Sequence, residues 1–216
     1  MTCSSKTHPT SPSYRRVMDQ RLTSLAAMLE QTALVLGEIS DEHLHLPTPC
    51  PDLDVVGMLD HLAVWVQVFD CAVNERPVGF DPLTHHVTDG WSTIFTDASG
   101  SIIHGLRERG VERMMTMVVD PLPGEFVLDM LLVEYVGHGW DLCRAVDRDL
   151  PYGDGLAEVS LTAARAIIEP QYRGTGLFGD EVPVPESASS MDRFVAFIGR
   201  DPQWSASRHV SSRGDE

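Results

Sequence analysis

Basic residues are scarce in this chain. Its 216 residues include 16 Lys and Arg against 32 Asp and Glu, which gives a formal net charge of −16. A surface that binds nucleic acid needs clustered basic side chains to neutralise phosphates, and attachment to anionic lipid has the same requirement. The charge balance therefore predicts that the protein binds neither nucleic acid nor an anionic membrane surface.

Cysteines and long apolar runs are scarce as well. The cysteines are scattered and form no CxxC pair: Cys3, Cys50, Cys71 and Cys143. A disulfide framework would show denser, paired spacing. The polar N-terminus lacks the apolar run of a secretory signal, and no stretch reaches the roughly 18 uninterrupted apolar residues that favour a membrane span. We expect reduced thiols in a soluble, cytoplasmic protein.

The sequence lacks both internal repeats and an alternating pattern long enough to build a sheet, while apolar residues recur at the three- and four-residue steps of helices. These steps predict helices that begin near Tyr14, Asp52 or Asp54, Trp91, Gly124, Gly153 or Asp154, and Ser189 or Ser190. The segment 114–120 is expected to be a short extended piece. We expect an all-α fold, a four-helix bundle with extra short C-terminal helices. It would form one domain over residues 14–204, between a flexible arm (1–13) and a polar tail (205–216).

The fourth predicted helix carries a glutamate and a histidine that could bind a metal ion. Glu134 and His138 are four residues apart, an advance of about 400°, and so share one face. Neighbours such as Val127 and Leu131 make that face mostly apolar, which predicts that it points inward. A buried carboxylate needs a cation, a donor or a proton, and a shared metal ion would satisfy both residues. The alternative is an ordinary i,i+4 surface pair.

His61 is the candidate for a third ligand. It lies in the middle of the second predicted helix, between Met58 and Trp65 and next to the main apolar stripe. A lone histidine there is more often a core or boundary residue, but two inward-facing histidines can converge in a bundle. The remaining histidines lie in loops, on a third helix or near the termini and are weaker candidates: His8, His43, His45, His85, His86, His104 and His209.

Several neighbouring residues have two interpretations. Asp141 follows His138 by three positions. It could orient the His138 ring without itself binding the metal, or it could form an ion pair with Arg144. Trp65 could line a cavity beside His61, although core packing is the better interpretation. Trp140 is expected in the core or in a pocket wall, and Tyr135 cannot share the ligand face. Without a visible electropositive neighbour, Cys50 and Cys143 are expected to be structural.

Three segments resemble one protein family. The segments TPCP (48–51), LDHL (59–62) and EYVGHGWDL (134–142) resemble the DinB-like proteins of actinobacteria, and more narrowly the metal-binding domain of mycothiol-dependent maleylpyruvate isomerase. The later segments 177–179, 182–185 and 199–202 are similar to the same group. The resemblance spans about residues 15–204, with the HGWDL block and its upstream glutamate as the most specific part.

The resemblance implies a divalent metal, usually zinc, held by His61, Glu134 and His138, which would also be the catalytic residues. Three protein ligands leave an open position, as in catalytic zinc sites. In thiol-dependent members that position is thought to receive the sulfur of mycothiol, and zinc would stabilise the nucleophilic thiolate. The partners implied are a low-molecular-weight thiol and a small electrophile. A homodimer is compatible with such bundles.

Two departures from the family shape the functional expectation. Asp52 and Leu53 stand where the family often has Gly-Trp, and a short helix and tail stand where the isomerase has a second domain. We therefore expect a zinc-dependent, mycothiol-using S-transferase or isomerase other than maleylpyruvate isomerase. The alternatives are a hydrolase or isomerase that activates water at the same metal, and a non-catalytic member that binds metal or a small ligand.

Overall fold

Six α-helices account for most of residues 11–174 and 177–206, the parts of the chain that the computed structural model describes. They are α1 (Pro12–Gly37), α2 (Val55–Val73), α3 (Trp91–Arg109), α4 (Gly124–Ala145), α5 (Asp154–Ile167) and α6 (Ser190–Phe197). Short 3-10 turns occupy Asp41–His43 and Pro170–Tyr172. The prediction of a mainly helical, all-α chain is confirmed.

Polar caps set where several helices begin. Helix α1 begins at Pro12, two residues before the predicted start, because proline suits a first turn and the Ser11 hydroxyl accepts the backbone N–H of Tyr14 at 3.2 Å. Of the two aspartates predicted to cap α2, Asp54 does so and accepts the N–H of Gly57 at 2.9 Å. Ser189 caps α6. Most of the expected arm and tail lie outside the described residues.

Helices α1 to α4 pack in a closed order. Helix α1 contacts α3, α3 contacts α2, α2 contacts α4, and α4 returns to α1; α5 packs on α4 and α1, and α6 packs on α5. The largest fully buried side chains come from several of these helices and include Trp140, Tyr135, Phe69, Phe95 and Phe194. The direct contact between α2 and α4 brings the two predicted metal-binding segments together.

A small hairpin is the one pair of β-strands among the described residues. Strand β1 (Met114–Thr116) pairs antiparallel with β2 (Pro121–Pro123), so the extended piece expected over 114–120 is confirmed only in its first three residues. The sequence pattern missed β2 because its two prolines cannot donate to a ladder and are expected only at sheet edges. In this hairpin both strands are edges.

Helix α2 is the most apolar helix. By length and composition alone it could cross a membrane, although 56% of its most hydropathic window is buried inside the protein. The criterion of an uninterrupted apolar run did not select this helix, because His61 and Gln67 interrupt the run. Its mean hydropathy is nevertheless high enough for a membrane-spanning helix. Core helices share such composition, and the buried residues of α2 pack in the main core cluster.

Candidate metal centre

The three predicted ligands converge where α2 crosses α4. Leu62 and Val66 are buried on α2, and apolar neighbours of Glu134 on α4, such as Leu131 and Val133, are buried as well. Burial of these apolar side chains fixes the rotation of both helices. His61 and Glu134, which are 73 positions apart in sequence, are thereby brought into contact.

The distances are those of a preformed cluster. His61 Nε2 lies 2.7 Å from Glu134 Oε1, and His138 Nε2 lies 3.7 Å from the same oxygen. The two imidazole rings meet edge to face with centroids 5.0 Å apart. One ligand atom from each residue falls within 4.8 Å of the other two. The predicted set of His61, Glu134 and His138 is thus brought together, and each of the three side chains is partly exposed.

The electrostatics of the cluster favour an ionised glutamate. Burial opposes ionisation of Glu134, but the charges of His138 and His61, the hydrogen bond from His61 and the charge of Arg200 outweigh it and lower the pKa of Glu134 to about 2. Burial alone would lower the pKa of His61, yet the charge and hydrogen bond of Glu134, with Asp60, raise it above its usual 6.5. The carboxylate therefore presents a full negative charge to both imidazoles.

The second ring nitrogen of His138 faces a buried carboxylate. His138 Nδ1 lies 3.0 Å from Asp141 Oδ2, and Asp141 is fully buried. The guanidinium of Arg200 donates to both carboxylate oxygens at 3.2 Å. Of the two interpretations of Asp141, the one that orients His138 matches the contacts, and the ion pair with Arg144 is wrong. Arg144 instead donates to the Pro202 carbonyl at 3.0 Å and lies over the Trp140 ring.

A second group of metal-ligating side chains shares His138. Cys50, in the loop before α2, places its sulfur within 4.8 Å of ligand atoms of His138 and Asp141. The sequence pattern gave this thiol no electropositive neighbour, but Arg200 is one. Burial raises the pKa of the Cys50 thiol, and Arg200 opposes that rise only in part. Cys50 therefore borders the centre, which sequence reasoning missed.

The remaining predicted residues surround the centre without joining it. Trp65 packs against the core and its ring lies 6.2 Å from that of His61. Tyr135 points into the core between Phe69 and Phe95, off the ligand face. Cys143 is fully buried, and burial raises the pKa of its thiol to about 12 against a weaker opposing effect of Arg144. An inert, structural Cys143 matches the prediction.

The other histidines have separate roles where the structure describes them. His43 caps the first 3-10 turn through the Ser40 N–H at 3.1 Å, His85 stacks on Phe80, and His86 Nδ1 lies 2.6 Å from Asp60 Oδ2. His8 and His209 lie outside the described residues. Within the described part of the chain, none of the histidines other than His61 and His138 belongs to a three-residue ligand group.

Comparison with known proteins finds similar sequences but matches neither a family model nor a solved structure. The chain is 26% identical over 174 residues to an uncharacterized protein of Mycobacterium tuberculosis strain CDC 1551, and equally to one of strain H37Rv. The alignment covers 78% of this chain and 91% of each relative. No family model matches the chain, and no solved structure matches it.

Proposed function

We propose that the protein is a zinc-dependent, thiol-using enzyme built on a DinB-like four-helix bundle. In this proposal α1 to α4 are the bundle, which their closed packing order supports, and α5 and α6 are the additional C-terminal helices. The observation that carries the proposal is the convergence of His61, Glu134 and His138 from two helices on one partly exposed point.

The donor set fits zinc in kind and in spacing. Donor atoms on a tetrahedral zinc at about 2.0–2.1 Å lie roughly 3.3 Å apart, and the contacts to Glu134 Oε1 measure 2.7 Å and 3.7 Å. Small rotations of the side chains would bring both values to that spacing. Because Asp141 accepts from Nδ1 of His138, the lone pair of Nε2 is left free on the side of Glu134.

The alternative group of Cys50, His138 and Asp141 is a poorer cation site. Both oxygens of Asp141 already accept from Arg200, and a metal bound there would be held close to the guanidinium charge. Asp141 is also fully buried, whereas the side chains of His61 and Glu134 are 29% and 26% exposed. In the His61 group all three donor residues are partly exposed, whereas the other group includes the buried Asp141.

Bound zinc would supply a thiolate at neutral pH by lowering the pKa of a thiol. The chain itself would hold that centre in shape: Glu134 balances the charge, Asp141 orients His138, and Trp65 borders His61. We propose mycothiol as the thiol and a small electrophile as the second substrate, for an S-transferase or isomerase. A reducing cytoplasm is the compartment in which such a thiol would be available.

Metal content tests the site. Protein purified without chelator is expected to contain about one zinc ion per chain, because three protein donors suffice for a catalytic zinc. His138→Ala and Glu134→Gln should each lose that metal, whereas His104→Ala, which removes an exposed histidine from α3, should keep it. Wild-type protein without stoichiometric divalent metal would contradict the site.

Thiol dependence tests the chemistry. Zinc-loaded protein is incubated with a panel of electrophiles, with and without mycothiol, and product formation is followed by mass spectrometry. Turnover that requires mycothiol and is lost in Glu134→Gln supports the proposal. Turnover without thiol would point to activated water, and a filled metal site without any turnover would point to a binding protein; either result contradicts a thiol-using enzyme.

A further inference from the structure

Arg200 lies far from the ligands in sequence but next to their support. It follows α6 and the glycine at position 199, and its guanidinium reaches Asp141 on α4, 59 positions away, through two contacts of 3.2 Å. Its side chain is only 10% exposed. A nearly buried arginine held on a fully buried carboxylate is a fixed element, because separating the two charges there is costly.

The segment that presents Arg200 is itself held firmly. Gly199 adopts a positive φ of 89°, and a Cβ at that position would lie 2.5 Å from the Cα of Gly179. The backbone N–H of Arg200 donates to the Val195 carbonyl at 2.8 Å. Arg173 donates to the carbonyls of Gly179 and Phe197 at 2.8 and 2.9 Å. The backbone around Arg200 therefore has contacts that do not depend on its guanidinium.

We propose that Arg200 is a positioning residue for the metal centre: its bidentate contact fixes the Asp141 carboxylate, which in turn fixes the ring orientation and tautomer of His138. This inference rests on the proposed metal site. Asp141 then accepts the Nδ1 proton, and Nε2 is left as the ligand nitrogen beside Glu134. Partners of this kind behind a metal-binding histidine contribute to affinity as well as to orientation.

A planar guanidinium suits this task better than any other cation. Its two N–H groups match the two carboxylate oxygens and so set the plane of the carboxylate as well as its charge. A carboxylate held by one point contact could rotate about its Cβ–Cγ bond and shift the oxygen that faces His138. The C-terminal segment of the described chain thereby completes a centre whose ligands all lie on α2 and α4.

The first test measures zinc affinity in the full chain by competition with a chelating dye. Arg200→Gln, which keeps most of the side-chain length, is expected to weaken zinc binding by about 10- to 100-fold. Arg200→Lys, which keeps the charge but not the paired contact, should recover only part of that loss. Arg173→Gln is the matched control, because it loosens the same segment without touching Asp141, and it should bind zinc as the wild type does.

The second test asks whether Arg200 acts through Asp141. Asp141→Asn should weaken zinc binding by a similar factor, and the double variant should be no weaker than Asp141→Asn alone, because residues in one contact chain are not additive. If the two factors multiply in the double variant, or if Arg173→Gln is as weak as Arg200→Gln, the positioning role is overturned.

A third measurement needs no metal. Nitrogen-15 spectra of the imidazoles in zinc-free protein at about pH 9, above the usual imidazole pKa, should show His138 with its proton on Nδ1 in the wild type and a mixture of tautomers in Arg200→Gln. Wild-type protein that binds no zinc would contradict the proposed function. The tautomer of His138 would still decide whether Arg200 positions that ring. An unchanged tautomer in Arg200→Gln would overturn that role.

Discussion

The two nitrogens of the His138 ring face two different environments. On the Nε2 side lie Glu134 and His61, with a quarter or more of each side chain exposed. On the Nδ1 side lie Asp141 and Arg200, which are 0% and 10% exposed. Both sides pair a carboxylate with a nitrogen-bearing side chain, but the first is partly exposed and the second is closed. Exposure to solvent, more than residue type, distinguishes the proposed metal-binding side of His138 from its buried side.

Substitutions on the closed side, which carries Asp141 and Arg200, should lower the free energy of unfolding most. Asp141→Asn removes a charge from a buried pair and leaves Arg200 without its counter-charge, so the free energy of unfolding should fall by about 3 kcal/mol. Glu134→Gln on the open side should lower it less, because water partly screens that side. Urea unfolding of metal-free protein measures both, and Asp97→Asn, on the exposed face of α3, is the control. Equal losses at Asp141 and Glu134 would contradict the comparison.

The backbone beside His138 provides the next test. A Cβ on Gly139 would lie 1.8 Å from the hydroxyl oxygen of Tyr152, which is buried and held 2.7 Å from the Thr32 hydroxyl. Gly139→Ala should therefore lower the melting temperature and cost about 2 kcal/mol. A Cβ on Gly137 would meet only the flexible end of Ile198, at 3.1 Å. Gly137→Ala is the matched control and should be neutral or, through helix propensity, slightly stabilising.

The last expected effect is a pH dependence on the open side, the side that carries Glu134 and His61. The folded pKa of Glu134 lies below its unfolded value of 4.5, so its contribution is present above pH 4.5 and is lost as pH falls toward 2. The folded pKa of His61 lies above 6.5, so its contribution is present below pH 6.5 and is lost as pH rises through the raised value. Glu134 and His61 together therefore stabilise the folded state most between pH 4.5 and 6.5.

Chelator-treated protein measures this window. The difference in unfolding free energy between wild type and Glu134→Gln should be largest between pH 4.5 and 6.5 and should shrink as pH falls toward 2. A difference that stays flat from acid to neutral pH would show that Glu134 and His61 do not interact as ions in the metal-free protein.

Much of the architecture could be predicted because helix patterns are local. The apolar spacing and the caps located six helices within a few residues, and Glu134 and His138 share a face through helix geometry alone. The hairpin could not be predicted, because Pro121 and Pro123 indicate the end of an element in the sequence. Their pairing with β1 is visible only in the folded chain. The place of His61 beside the apolar stripe of α2 made it the candidate for a third ligand, and the resemblance to a known family implied the same residue.

The sequence by itself determined which helices form and which face of α4 carries a carboxylate and an imidazole, because these follow from residues three and four positions apart. Only the tertiary structure decided how the other side of His138 is built. Asp141 had a local candidate partner in Arg144, yet it pairs with Arg200 from beyond α6, and Cys50 reaches the same place from the loop before α2. Contacts between distant segments depend on how the helices pack and on where the loops place the following residues. A local sequence pattern does not contain that information.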